Sequence, residues 1–193
     1  MQGSENLNRQ EDLQTPTPGF SSDWRFWGRD LLFALGIALV VILFFYQPVK
    51  VEGNSMAPWL SDQERIFINK FVYKFEDIQR GDIVVFWYPL DPSKSFIKRV
   101  VGLPGETVEI SRGRVFINGQ YMPEPYVPAT FADDQNAGTV RVPPGSYFVL
   151  GDHRISSNDS RSWGTVDRKY IYGKAVFAYW PVSRFGTIEA AEK

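Results

Sequence analysis

The chain has 193 residues, 44% of them hydrophobic and 22% charged, which allows one compact domain of about 140 residues beside one hydrophobic anchor and excludes a second large domain. Its formal net charge of −1 is spread without long blocks of one sign, so the basic footprint of a nucleic-acid binder is missing. With no cysteine and a single histidine, His153, the chain has no thiol nucleophile, no disulfide frame, no cysteine-ligated metal and too few imidazoles for a histidine zinc site.

Residues 1–23 are polar and contain Pro16 and Pro18, the composition of a disordered tail. Residues 24–47 read as a transmembrane anchor. Their apolar run from Leu31 to Tyr46 is sixteen residues long, a little short of the roughly 20 that cross a bilayer core. Trp24, Phe26 and Trp27 at one end, and Phe44, Phe45 and Tyr46 at the other, extend it into the two headgroup regions, and Pro48 ends the helix. No small-x-small site follows in Gln47-Pro48-Val49-Lys50-Val51-Glu52, so the segment is expected to be an uncleaved anchor rather than a removed signal peptide. Arg25 and Arg29 against Lys50 place the N-terminus in the cytoplasm by one charge.

From 48 to 188 the helical period gives way to short β-type runs broken by turns, the pattern of a mostly β domain. Strands are expected at 65–69, 83–87, 96–101, 107–111, 114–117, 147–150 and 173–180, with Asn118-Gly119 as a two-residue hairpin turn. Residues 121–139, with Pro123, Pro125, Pro128 and Asp133-Asp134, read as an excursion from the core, a loop or edge hairpin. Residues 189–193 form a C-terminal tail.

Three segments carry chemistry: Gly53-Asn54-Ser55-Met56-Ala57-Pro58, Phe96-Ile97-Lys98-Arg99-Val100-Val101, and the run Gly151 to Gly164, dense in hydroxyls, carboxylates and arginines. A serine hydroxyl needs a base to become a nucleophile, and with one histidine available a lysine is a strong candidate. That lysine must be desolvated, because an ordinary lysine, with a pKa of about 10.4, is an ammonium at neutral pH. Alternation along a strand at 96–101 puts Phe96, Lys98 and Val100 on one face and Ile97 and Arg99 on the other, surrounding Lys98 with apolar groups and turning the like charge away. Taken singly, Ser55 reads as a turn serine and Lys98 as a solvated strand lysine; the three segments together reverse that. A membrane-tethered β module that captures extended peptides by strand addition is the alternative to an enzyme.

These segments, with Arg80-Gly81-Asp82-Ile83-Val84-Val85-Phe86, Trp180-Pro181 and Arg184-Phe185-Gly186, resemble the type I signal peptidases, membrane-anchored Ser-Lys proteases that remove signal peptides from exported proteins. The resemblance spans about residues 30 to 188. It implies a single N-terminal helix followed by a domain of antiparallel β-sheets on the far side of the membrane: periplasm, extracellular space or thylakoid lumen. The implied partners are preproteins and the lipid bilayer, with no cofactor and no metal, and the oligomeric state is left open.

By the same resemblance Ser55 is the nucleophile, Lys98 the general base and then the proton donor, and the Ser55 backbone N–H an oxyanion donor. Ser157 orients the lysine amine, Asp159 and Arg161 form a supporting ion pair, and Asp152 braces the same loop. Val49, Val51, Met56, Leu60, Val85, Phe96 and Ile97 are expected around two shallow subsites for small side chains; without the resemblance they read as core. The chain departs from the family in having Gly53 where some members place a second, hydroxyl oxyanion donor, and His153 where asparagine is frequent. A solvated polar role is expected for His153. Trp59 and Phe71 are expected in the core, with insertion into the membrane interface as the alternative.

Overall fold

The computed structural model describes residues 23–188, the side chains of residues 23–26 and 43 excepted. The tails expected at the two ends, at 1–22 and 189–193, and the side chains of Trp24, Arg25 and Phe26 lie outside the described residues. The chain divides into two compact units between Val41 and Ile42, ahead of the boundary expected after residue 47. A helix, α1, runs from Asp23 to Phe45. Arg29 and Asp30 interrupt its early turns, and among the described residues no helix is long and apolar enough to cross a membrane. The helix stops before Pro48, which lies instead in an edge strand, where its missing N–H leaves no ladder bond unmade.

Among the described residues twelve strands follow: β1 Tyr46–Lys50, β2 Arg65–Asn69, β3 Ile83–Tyr88, β4 Asp91–Gly102, β5 Thr107–Ser111, β6 Arg114–Ile117, β7 Gln120–Tyr121, β8 Ala137–Arg141, β9 Ser146–Leu150, β10 Val166–Asp167, β11 Ile171–Trp180 and β12 Gly186–Thr187. They pair antiparallel in two sheets. The larger has the order β1-β2-β11-β3-β4-β9-β10, with β12 beside β11, and the smaller the order β7-β6-β5-β8. Asn118 and Gly119 both take positive φ, the conformation of the tight turn their sequence asks for, and join β6 to β7.

Both faces of the large sheet are covered, which explains why β3 and β9 read as unbroken apolar runs. Ile83 and Val85 of β3 point into one cluster with Ile66, Ile68 and Ala178; Val84 and Phe86 point into the opposite one with Val100, Val149 and Ile171. A third cluster joins the sheets, packing Phe148, Leu150 and Val101 of the large against Val108, Ile110 and Val115 of the small. Gly102 permits that approach, since a Cβ there would lie 2.5 Å from Val108 and 2.9 Å from Phe148.

Each of the seven expected strands is present, three of them with the bounds read from the sequence. β1, β7, β8, β10 and β12 were not expected; three of them are two-residue pairings too short for a periodicity to show. The excursion at 121–139 begins on β7 and ends on β8, so its ends belong to the small sheet. Because Phe148 is buried where the sheets meet, Phe148→Ala should lower unfolding stability by about 3–5 kcal/mol, measured by urea denaturation.

Candidate active site

Ser55 lies in the tight turns that follow β1. Gly53, at φ 85°, reverses the chain, and its N–H donates to Asp62 Oδ1 at 2.8 Å. That bond is the main cause holding the Asp62 carboxyl below its ordinary range. It also uses the Gly53 N–H, so this amide is not free to serve as a second oxyanion donor. The Ser55 carbonyl accepts from the His153 N–H at 3.1 Å, while the Ser55 N–H donates no hydrogen bond among the described residues. Gly151 touches this turn so closely that a Cβ there would sit 2.5 Å from the Ser55 carbonyl oxygen and 2.1 Å from Ser157 Oγ. Only a glycine lets the loop, the Ser55 turn and Ser157 meet.

Lys98 comes from the middle of β4, opposite Val84 of β3. It is 4% exposed, and its Nζ lies 2.7 Å from Ser55 Oγ and 3.0 Å from the Ile97 carbonyl oxygen. The Phe96 ring covers it, with Nζ 5.2 Å from the ring centroid. Burial pushes the Lys98 pKa down to about 8, against the opposing pull of Asp159 and then Asp152. A lysine so placed is partly neutral near pH 8, and a neutral amine can donate to the Ile97 carbonyl while its lone pair accepts the serine proton.

The loop from Gly151 to Gly164 is held by arginine–carboxylate pairs. Arg99, 1% exposed, meets the fully buried Asp152 in a two-pronged bond, Nε to Oδ1 at 2.9 Å and Nη2 to Oδ2 at 2.7 Å, and donates to the Gly81 carbonyl at 2.9 Å. Burial raises the Asp152 pKa and the Arg99 guanidinium pulls it back. Arg161 bonds both oxygens of Asp159, each at 2.8 Å, and Asp159 also accepts from the Gly151 N–H at 3.1 Å. Ser157 Oγ is buried with no hydrogen-bond partner among the described residues, so the bond to Lys98 expected of it is not formed.

Sequence reasoning missed four members of this cluster: Arg99 as a partner for Asp152, Arg154, and the excursion's Glu124 and Asp133. Arg154 donates to Glu124 at 2.5 and 2.8 Å, and Arg161 reaches Asp133. Tyr126 of the excursion covers Arg99, 4.3 Å from ring centroid to guanidinium, and its carbonyl accepts from Trp59 Nε1 at 2.6 Å. Trp59, 52% exposed, is therefore not in the core as expected. The available signal was chemical: Glu124, Asp133 and Asp134 are acids in a proline-rich stretch with no basic residue of its own.

Of the residues expected around the subsites, Val51, Met56, Leu60 and Val85 are buried in one cluster with Val49 and Ile97 packed against it. Phe96 packs in the cluster on the opposite face, beside Phe86. Only Val49, Phe96 and Ile97 keep accessible surface. The His153 ring places Nδ1 3.2 Å from the Asn54 carbonyl and stands edge-on to Phe131, with centroids 4.5 Å apart; its only link to Ser55 is the backbone bond. Arg184 reaches Ser61 Oγ at 2.8 Å, tying the segment after β11 to the turns that follow Ser55. Among the described residues no three His, Asp or Glu side chains gather into a metal-binding group.

A serine hydroxyl against a buried amine, beside an unused backbone N–H on an antiparallel β scaffold, is a site of the serine hydrolase class. The family model described as "Signal peptidase, peptidase S26" matches residues 24–180. A probable signal peptidase I-2 of Synechocystis sp. is 36% identical over 191 residues, 96% of this chain and 86% of that protein. A signal peptidase I of Leptolyngbya laminosa is 42% identical over 169 residues, 83% of this chain and 80% of that protein. A signal peptidase I structure from Enterococcus faecalis V583 aligns at 35% identity and a TM-score of 0.46, over 51% of this chain and 97% of that one. The chain belongs to the S26 signal peptidase family, whose members are serine endopeptidases.

The buried amine also sets a stability test. The Lys98 pKa is lower folded than unfolded, so below pH 8 the ammonium is charged in both states and burial costs the fold about 3 kcal/mol. The cost fades as pH rises from 8 to about 10.5, where both states become neutral. Lys98→Met should therefore be more stable than the parent at pH 7, with the gap closing toward pH 10.5, measured by urea denaturation across that range.

Proposed function

We propose that the chain is a membrane-anchored signal peptidase I that cleaves exported preproteins after small-x-small sites through a Ser55–Lys98 dyad and an acyl-enzyme. The observation that carries the reading is the 2.7 Å separation of Lys98 Nζ from Ser55 Oγ, with the amine buried and its pKa pushed down to about 8. Ser55 Oγ attacks the scissile carbonyl as its proton passes to Lys98 Nζ. The Ser55 N–H stabilises the oxyanion. The Lys98 ammonium then protonates the departing amine. Neutral again, the Lys98 amine takes a proton from water as the water attacks the acyl carbonyl, and returns it to Ser55 Oγ as the acyl–oxygen bond breaks and the new carboxyl group leaves.

By the family resemblance Ser157 is the lysine-orienting hydroxyl of this reading; its Oγ is buried against Gly151 and makes no bond to Lys98 in this structure. Asp152, Asp159 and Arg161 hold the loop through ion pairs. Val49, Phe96 and Ile97, the accessible members of the apolar set, border the substrate's small side chains, with Val51, Met56, Leu60 and Val85 behind them. The anchor reading rests on α1, where Leu32, Phe33, Leu35, Ile37 and Val40 are all exposed, an apolar surface all round the helix that suits lipid. The N-terminus is then cytoplasmic and the β domain lies on the trans side, beside emerging substrates.

Detergent-solubilised protein should cut a preprotein to yield one new N-terminus, with Ser55→Ala, Lys98→Ala and Lys98→Arg each losing at least about a thousandfold in kcat/KM while keeping the parent's circular dichroism. Retained turnover in Lys98→Arg removes the lysine as base. Since the base acts only when neutral, kcat/KM should rise with pH through an inflection near 8, and an acid limb centred below pH 6 contradicts the assignment.

A further inference from the structure

Away from Ser55, the segment after β2 meets the turn before β11 and the start of β11 at an open cavity of about 400 Å3, bordered by Lys70, Phe71, Tyr73, Lys74, Arg168 and Tyr172. Among the described residues no acidic side chain borders it. Lys70 and Lys74 form no ion pair among the described residues, and Lys74 Nζ instead lies 4.6 Å over the Phe71 ring. Arg168 donates to two neutral carbonyls, Ile171 at 3.2 Å and Tyr73 at 2.5 Å, which leave its charge uncancelled. Two neighbouring carboxylates are committed elsewhere, Asp82 to Lys174 at 2.6 Å and Asp167 to Lys169 at 3.1 Å, while Glu76 and Asp77, further along the same segment, do not border the cavity. Three unneutralised cations around one concave space form an anion site, and two lysines with an arginine suit a phosphate group.

The surroundings select the source of that phosphate. Phe71 stacks on Phe44 at 5.2 Å and lies tilted against Phe45 at 4.9 Å, the last two residues of α1, and the Lys70 N–H donates to the Phe45 carbonyl at 3.4 Å. Phe75, in the same segment, is 83% exposed. Exposed aromatic rings interleaved with lysines, where an apolar helix ends, are the composition favoured at a bilayer interface. We propose that this cavity binds the phosphate of an anionic phospholipid headgroup and so holds the segment after β2 at the bilayer surface. The inference rests on the reading of α1 as a membrane anchor.

The test uses the full-length chain in neutral maltoside detergent, titrated by calorimetry with soluble dihexanoyl phosphatidylglycerol, dihexanoyl phosphatidylcholine or inorganic phosphate. Phosphatidylglycerol should bind saturably, phosphatidylcholine should not, and Lys70→Gln/Lys74→Gln should weaken phosphatidylglycerol about tenfold or more while cleaving a preprotein in detergent at the parent's rate. Undiminished binding by the double variant overturns the site. Equal binding of the two lipids overturns its anion selectivity, and inorganic phosphate binding as tightly as phosphatidylglycerol overturns the lipid assignment. Carbonate extraction from membranes tests α1 separately: release of the parent chain refutes the anchor, whereas the short-chain lipids reach the cavity with or without one.

Discussion

Burial of the Lys98 amine and the attraction of two nearby carboxylates oppose each other, and the balance decides whether the amine beside Ser55 is charged. Desolvation drives the amine toward neutrality; Asp159 and Asp152 draw it back toward the ammonium. Desolvation prevails, with the pKa near 8, although both carboxylates are buried in a medium that screens charge poorly. Burial is the largest effect, and both carboxylates have partners of their own. Asp152 is matched by Arg99 and Asp159 by Arg161, each through two hydrogen bonds, so Lys98 meets two ion pairs rather than two bare negative charges. The arginines hold the loop in place and also blunt the field that would keep the lysine protonated.

The excursion at 121–139 completes that arrangement. Arg154 and Arg161 are nearly buried, and unpaired guanidinium groups there would be costly. Glu124 and Asp133 supply the missing charges from a segment that forms no strand between β7 and β8. Tyr126 links the two halves of the site, its ring over Arg99 and its carbonyl bonded to Trp59 on the nucleophile side. One stretch of irregular backbone thus braces both the loop and the turn bearing Ser55, which explains how a proline-rich excursion keeps a fixed position.

Much of this was legible from residue order. Alternation in 65–69, 107–111 and 114–117 identified those strands with their ends, and Asn118-Gly119 located the hairpin, because each signal is local. The nature of the residues at 55 and 98 pointed to a serine and its base for chemical reasons that need no coordinates. The Arg99–Asp152 pair was not legible: its members lie 53 positions apart and meet only because β4 runs beside β9, a pairing no local pattern encodes. Val51, Met56, Leu60 and Val85 show the converse limit, since an apolar residue reads alike whether it lines a pocket or fills the cluster behind it. Trp59 was misplaced for a similar reason, because its one polar atom found a carbonyl at the surface.

Lys98 and Arg99 are adjacent cations with opposite requirements, one to be neutral and one to stay charged, and the strand keeps them apart. Successive side chains on β4 point to opposite faces, so a single backbone register sends one amine toward Ser55 and one guanidinium toward Asp152. A slip of one residue would exchange them and put a group that does not deprotonate beside the serine. Arg99 itself resists that slip. Its bonds to the Gly81 carbonyl ahead of β3 and to Asp152 beyond β9 pin β4 between its two neighbours at the position preceded by the lysine. The accuracy with which the Lys98 amine meets Ser55 is therefore a property of the sheet register, and the buried ion pair beside it is one of the interactions that set that register.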